Sequence, residues 1–216
     1  MKKITNLVII DASGSMYSKT NEVKGGIRSL LKEIKSDMKK DKDAKITTIV
    51  CQFEGPRDFK VLLNTSNRKD IDLSIAENYR AGGMTALYDA IGEGFNLVDN
   101  KQDGVFVSIL TDGEENSSQE YRQPAIKKML TDAKKKKWGV TFMGTTESAI
   151  QNAVSLGVNL GNTYKFADNS RGVDISNTVR NKSRTAYYSS VMTATSSADI
   201  QVDNLIEDED TTSTIK

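Results

Sequence analysis

The chain has 216 residues, 37% of them hydrophobic, with 30 lysines and arginines against 29 aspartates and glutamates. That suits one α/β domain with one core, and leaves no charge excess to draw the whole chain to nucleic acid or membrane. There is no histidine and a single cysteine, Cys51. Serine–histidine and cysteine–histidine catalysis and nearly all zinc enzymes are therefore excluded, as is an intramolecular disulfide framework. Any metal must be held by oxygen, which favours magnesium, calcium or manganese.

The first apolar run, ITNLVII (4–10), is cut by Asp11 with no small-residue cleavage site. It reads as a strand rather than a signal peptide, so the protein is expected to stay inside a cell. A helix follows, with Val23, Ile27, Leu30, Leu31, Ile34 and Met38 at helical spacing. KITTIVCQF (45–53) predicts a second strand, in which Cys51 is a small buried hydrophobe. The turn EGPRD is too short for a crossover, so DFKVLLN (58–64) should return antiparallel. Leu87, Ala90, Ile91, Phe95 and Val98 mark a second helix, and GVFVSIL (104–110) the next strand.

Ser117-Ser118-Gln119-Glu120 resembles a capping box and predicts the start of a third helix through Ile126, Met129 and Leu130. The run Lys134–Lys137 closes that helix, where cations suit the dipole, and Trp138 should anchor the following strand, GVTFMG (139–144). A fourth helix is expected from Glu147 to Leu156, stopped by Gly157. TYKFA (163–167) predicts a short strand, and a fifth helix should cover 173–188. The alternation predicts a doubly wound, mostly parallel sheet with one antiparallel edge strand and helices on both faces. The domain is expected to occupy residues 1–190. Residues 191–216, rich in Ser, Thr and Asp, read as a polar acidic tail, disordered or ordered by a partner.

Three polar clusters sit where such a fold puts its ligand. The first strand ends in Asp11-Ala12-Ser13-Gly14-Ser15. The strand 104–110 ends in Thr111-Asp112-Gly113-Glu114-Glu115-Asn116. Gly82-Gly83-Met84-Thr85 opens the helix that begins near Leu87. Two strand ends and one helix-opening loop can meet at the carboxyl edge of the sheet. Asp11, Ser13, Ser15, Thr85 and Asp112 would give two carboxylates and three hydroxyls, a hard oxygen-only set suited to Mg²⁺ or Mn²⁺. If the hydroxyls touch the metal and the aspartates act mostly through water, the ion keeps its electrophilicity and can accept one more oxygen from outside.

Asp11-x-Ser13-x-Ser15, then Thr85, then Asp112-Gly113, resembles the complete metal-ion-dependent adhesion site of the von Willebrand factor type A (vWA) family. RAGGMTALYDAIG, SILTDGEENSS and WGVTFMGTTESAIQNAVSLGV are similar to small stand-alone vWA proteins of bacteria and phages, and the likeness covers roughly residues 1–190. The resemblance implies that the positions of Ser13, Ser15 and, with ligand bound, Thr85 bind the metal through hydroxyls. It implies that Asp11 and Asp112 bind directly or through water, and that a partner protein's Asp, Glu or terminal carboxylate fills the remaining position. It places the protein in a bacterial or phage-infected cell, or on a virion.

Helix capping would account for Asp11 or Ser13 alone, though not for the set of five. The expectation is thus a non-enzymatic protein-binding module, either an adaptor or a subunit of a phage particle or ATPase-associated complex. An aspartate-nucleophile phosphohydrolase is the competing reading. It would need an acid where Ser13 stands and a lysine in the site, and no lysine stands in these clusters. Glu114 and Glu115 read as solvated loop acids. The acids Glu207, Asp208, Glu209 and Asp210 could act as an internal or neighbour-supplied ligand and link copies of the chain.

Overall fold

The structure, a computed structural model, describes residues 1–206. Among them, six strands form one sheet: β1 (Lys2–Asp11), β2 (Ala44–Phe53), β3 (Phe59–Thr65), β4 (Gly104–Leu110), β5 (Gly139–Gly144) and β6 (Thr163–Lys165). Their order is β3-β2-β1-β4-β5-β6. All neighbours are parallel except the β2–β3 pair, which runs antiparallel as the short turn required. The order reverses at β1, whose neighbours are β2 on one side and β4 on the other, so the topological switch point lies between β1 and β4.

Side-chain alternation divides the core into two layers. Leu7, Ile9, Ile49, Cys51, Val107 and Ile109 face the layer covered by α2 (Leu87–Asn96), α3 (Gln123–Lys135) and α4 (Glu147–Leu156). Val8, Ile10, Ile46, Val50 and Leu110 face the layer that includes Val23, Ile27 and Leu31 of α1 (Thr20–Lys40) and Val173 and Val179 of α5 (Ser170–Thr193). This two-sided burial is why the central strands are near-continuous apolar runs. Gly157 closes α4 at φ 107°, a conformation glycine adopts without Cβ strain. Trp138 packs tilted against Phe95 at 5.5 Å, just ahead of β5. Three of the neighbouring lysines have partners: Lys134 pairs with Asp203, Lys135 with Asp132, and Lys136 lies over the Trp138 ring.

Two expectations need correcting. The Ser117–Glu120 segment does not cap α3, which starts at Gln123 with Pro124 in its first turn and no side-chain cap. The backbone amides of this segment are instead taken by the side chains of Glu115 and Asp89. The chain also does not leave the domain after residue 190. α5 runs to Thr193, and Val191, Ile200, Val202 and Leu205 form a third apolar cluster with Ile4, Phe106 and Tyr187. Asn162 fastens the segment by donating from Nδ2 to the Val202 carbonyl at 2.7 Å and accepting from the Leu205 amide at 2.9 Å. The apolar residues scattered through a polar sequence are what hold it down. The acidic run 207–210 lies outside the described residues. Among those described, no helix is long and apolar enough to cross a membrane.

Asn162→Ala should cost about 1–3 kcal/mol in urea unfolding, because it leaves the Leu205 amide and the Val202 carbonyl short of a partner. It should also raise hydrogen exchange at Leu205 selectively. Unchanged exchange there would show that the segment is not held by Asn162.

Candidate metal site

The parallel register of β1 and β4 pairs Ile10 with Leu110, so Asp11 and Thr111-Asp112 leave adjacent strands side by side at the switch point. Asp11 has no solvent exposure and Asp112 is 8% exposed. Both Asp11 oxygens are used: Oδ1 accepts from the Ser13 amide at 2.7 Å and Oδ2 from the Thr111 hydroxyl at 2.5 Å. Burial nevertheless dominates and pushes its pKa up to about 6, with the nearby Asp112 charge adding to the rise and the hydrogen bonds opposing it.

Ser13 and Ser15 flank the turn out of β1, with their hydroxyl oxygens 3.0 Å apart. The Ser15 hydroxyl donates to Asp112 Oδ1 at 2.5 Å. Thr85 is buried and arrives from the opposite loop. A Cβ placed on Gly113 would meet Thr85 Oγ1 at 3.1 Å and Asp11 Oδ2 at 3.7 Å. The Thr85 hydroxyl and the Asp11 carboxylate therefore converge on the space beside Gly113, where a side chain would intrude. All five residues singled out in the sequence come together here.

The loops are stitched to one another and to the end of β1 by hydrogen bonds. Ala12 accepts from the Gly82 amide at 2.7 Å, Gly83 accepts from the Gly14 amide at 3.1 Å, and Tyr79 donates its hydroxyl to the Asp11 carbonyl at 2.6 Å. Gly83 takes φ 75° to make this turn. Asn116 clamps Thr85 in both directions, accepting from its amide and donating to its carbonyl, each at 3.0 Å.

Several contributing residues were not legible as such in the sequence. Glu115, read as a solvated acid, accepts from the Tyr88 amide at 2.9 Å and from the amides of Ser117 and Ser118. It thereby satisfies a free amide in the first turn of α2, whose own N-cap residue, Ala86, has no capping side chain. Asp89, buried inside α2, accepts from the amides of Gln119, Glu120 and Tyr121. These acids fold the loop after β4 back onto α2.

The largest departure is Lys19. No lysine stands in the three clusters, yet the short 3-10 turn Gly14–Lys19 carries one back to Asp112, with Nζ 2.5 Å from Oδ2. Asp168, ahead of α5, pairs with the same ammonium at 2.5 Å. Burial alone would lower the Lys19 pKa, but hydrogen bonds to Asp112 and Asp168, with their charges, bring it above the ordinary value.

Among the described residues no three His, Cys, Asp or Glu side chains gather as a metal site. The donor set here is of a different kind, two carboxylates with three hydroxyls. Small, hard, neutral and anionic oxygens suit Mg²⁺ or Mn²⁺ and would not select a soft ion. The glycine-lined space beside Thr85 and Asp11 is compatible with a small cation.

No protein-family model matches this sequence, and no curated protein does. Solved structures match its fold. The pilus adhesin SpaC from Lactobacillus rhamnosus GG, in an open conformation, superposes with TM-score 0.63 at 14% identity over 82% of this chain and 29% of its own. The vWF domain of the type V pili tip protein Mfa5 from Porphyromonas gingivalis gives 0.62 at 7% identity, covering 83% of this chain and 95% of that domain. The SpRpn10 VWA domain gives 0.53 at 13% identity over 81% and 93%. This chain thus spans under a third of the adhesin and nearly all of the isolated domains. At such identities the likeness establishes the fold, which is that of a vWA domain.

Asp89→Ala should leave the amides of Gln119, Glu120 and Tyr121 without their acceptor. We expect a loss of about 1–3 kcal/mol and faster hydrogen exchange at residues 119–121. Wild-type exchange in that loop would contradict the role given to Asp89.

Proposed function

We propose that this protein is a magnesium- or manganese-dependent protein-binding module that takes a carboxylate from a partner protein. It would serve inside a bacterial or phage-infected cell as an adaptor or as a subunit of a larger assembly. The reading is carried by the meeting of Ser13, Ser15, Thr85, Asp11 and Asp112 at the switch point of a vWA-type sheet. A divalent ion held there would act as a Lewis acid with room for one more oxygen ligand. Asp11 and Asp112 supply the balancing negative charge. The hydroxyls bring no further charge, so the affinity for an incoming carboxylate is retained.

The surroundings suit a protein partner. Tyr17 is 75% exposed and Met84 52% exposed. They stand on the two loops that carry Ser15 and Thr85, loops joined by the Gly14–Gly83 backbone bond. Exposed aromatic and thioether side chains beside a charged centre are common anchors of interfaces. A partner acid flanked by apolar residues fits this rim.

The presence of Lys19 gives the phosphohydrolase reading one residue it was short of. It still lacks the acid two positions after Asp11. Position 13 is a serine, and Asp11 has both oxygens engaged and no exposure, so it is poorly placed to attack a substrate. The binding reading needs none of these groups to react.

Saturating Mg²⁺ or Mn²⁺ should raise the protein's stability, by about 2.7 kcal/mol at a hundredfold excess over Kd. Ser13→Ala and Thr85→Ala should remove most of that gain. These variants delete a donor without stranding Lys19, as Asp112→Ala would. Equal melting temperatures with metal and with EDTA in the wild type would count decisively against the site.

Tyr17→Ser combined with Met84→Ser should leave the metal-induced stabilisation intact. It should weaken capture of a partner from the source cell by roughly tenfold or more. EDTA should abolish that capture in the wild type. Metal-independent capture would refute the carboxylate-through-metal mechanism.

A further inference from the structure

Lys19 is the side chain at the site that the metal reading leaves unexplained. It is 5% exposed, and its ammonium has three acceptors: Asp112 Oδ2 at 2.5 Å, Asp168 Oδ1 at 2.5 Å and the Ser15 carbonyl at 3.1 Å. Withdrawing an ammonium from water is costly unless its donors are matched, and here all three are. The two oxygens of Asp112 are divided between different partners. Oδ1 takes the Ser15 hydroxyl, and Oδ2 takes Lys19. Lys19 meets Ser15 through its carbonyl and not its hydroxyl, so it takes no hydroxyl oxygen from the donor set.

We propose that Lys19 is a positioning residue that fixes the Asp112 carboxylate and shifts the site's preference from cations towards carboxylates, with Asp168 setting the size of the shift. This rests on the metal-dependent reading above. The charge balance gives the reason. Asp11 and Asp112 together neutralise a divalent ion, and Lys19 adds one positive charge. The loaded site is then net positive and attracts an anion, while the same charge opposes the entry of the cation. Asp168 is 63% exposed and offsets Lys19 from the solvent side, where water and salt weaken its effect. The sign of this effect is diagnostic. A lysine that merely held the loop together would, on removal, weaken cation and carboxylate binding alike.

The test compares the wild type with Lys19→Met, Lys19→Arg and Asp168→Asn. MnCl₂ binding is measured by calorimetry, and acetate is then titrated into the Mn²⁺-loaded protein, followed by water-proton relaxation. Lys19→Met keeps the apolar stem and removes the charge. It should bind Mn²⁺ roughly tenfold more tightly, on the order expected for a unit charge nearby in a partly screened site. It should bind acetate several-fold more weakly. Asp168→Asn should move both affinities the other way, and Lys19→Arg should stay close to the wild type. If Lys19→Met does not fold, Asp168→Asn, which alters only an exposed carboxylate, carries the comparison. Changes in the same direction for both ligands, or no change in either, would overturn the role of Lys19. A wild type that binds Mn²⁺ normally would leave the metal reading standing in that event, whereas one that binds none would remove both.

Discussion

Two carboxylates end adjacent strands with almost no contact with water, and the architecture around them follows from that. A buried charge is tolerated only when hydrogen bonds and opposite charge replace its hydration. Asp11 has the Ser13 amide and the Thr111 hydroxyl, and even so its pKa rises to about 6. Asp112 has the Ser15 hydroxyl and the Lys19 ammonium. Apart from the Ser13 amide, which is local to Asp11, these donors reach across from the neighbouring strand end and could not do so unless β1 and β4 were parallel neighbours.

The two strands are held in that relation by apolar packing on both faces, while the polar residues that matter lie just past their ends. The division separates stability from chemistry. Leu7, Ile9, Val107 and Ile109 fix the frame within one core layer, and Val8, Ile10 and Leu110 do so within the other. The site itself is formed by loops tied to one another and to that frame through hydrogen bonds to the backbone, Asn116 holding Thr85 and Tyr79 holding the end of β1. Glu115 and Asp89 extend the same principle to the loop after β4, where carboxylates take up amides that no helix or strand satisfies. Donors held by hydrogen bonds and an exposed rim at Tyr17 and Met84 are what the proposed binding surface would need.

Much of this was legible in the sequence because it is written in local patterns. Strands buried on both faces show as apolar runs, α4 announces its end with Gly157, and the antiparallel β3 follows from a turn too short for a crossover. The convergence of Asp11, Ser13, Ser15, Thr85 and Asp112 was legible because each stands at the end of a strand or in a loop that opens a helix. Lys19 was not, because its partner Asp112 is 93 residues away and no spacing rule links a turn to a neighbouring strand. Glu115 looks like any exposed loop acid until the fold brings the amide of Tyr88 to it. The Ser117–Glu120 segment has the letters of a capping box, but Asp89 competes successfully for the amides that follow. The segment after residue 190 looks too polar to pack. Its few apolar residues nonetheless fall where Ile4, Phe106 and Tyr187 leave a surface to cover.

The central claim is that a divalent cation is held at the switch point by hydroxyl and carboxylate oxygens from both sides of it. The most direct measurement is an anomalous difference map from crystals grown with Mn²⁺. The account predicts a single strong peak within about 2.0–2.3 Å of the Ser13 and Ser15 hydroxyl oxygens, beside Asp11 and Asp112. A map with no peak there under saturating Mn²⁺, or with Mn²⁺ only on exposed acids such as Glu77 or Asp132, would contradict it.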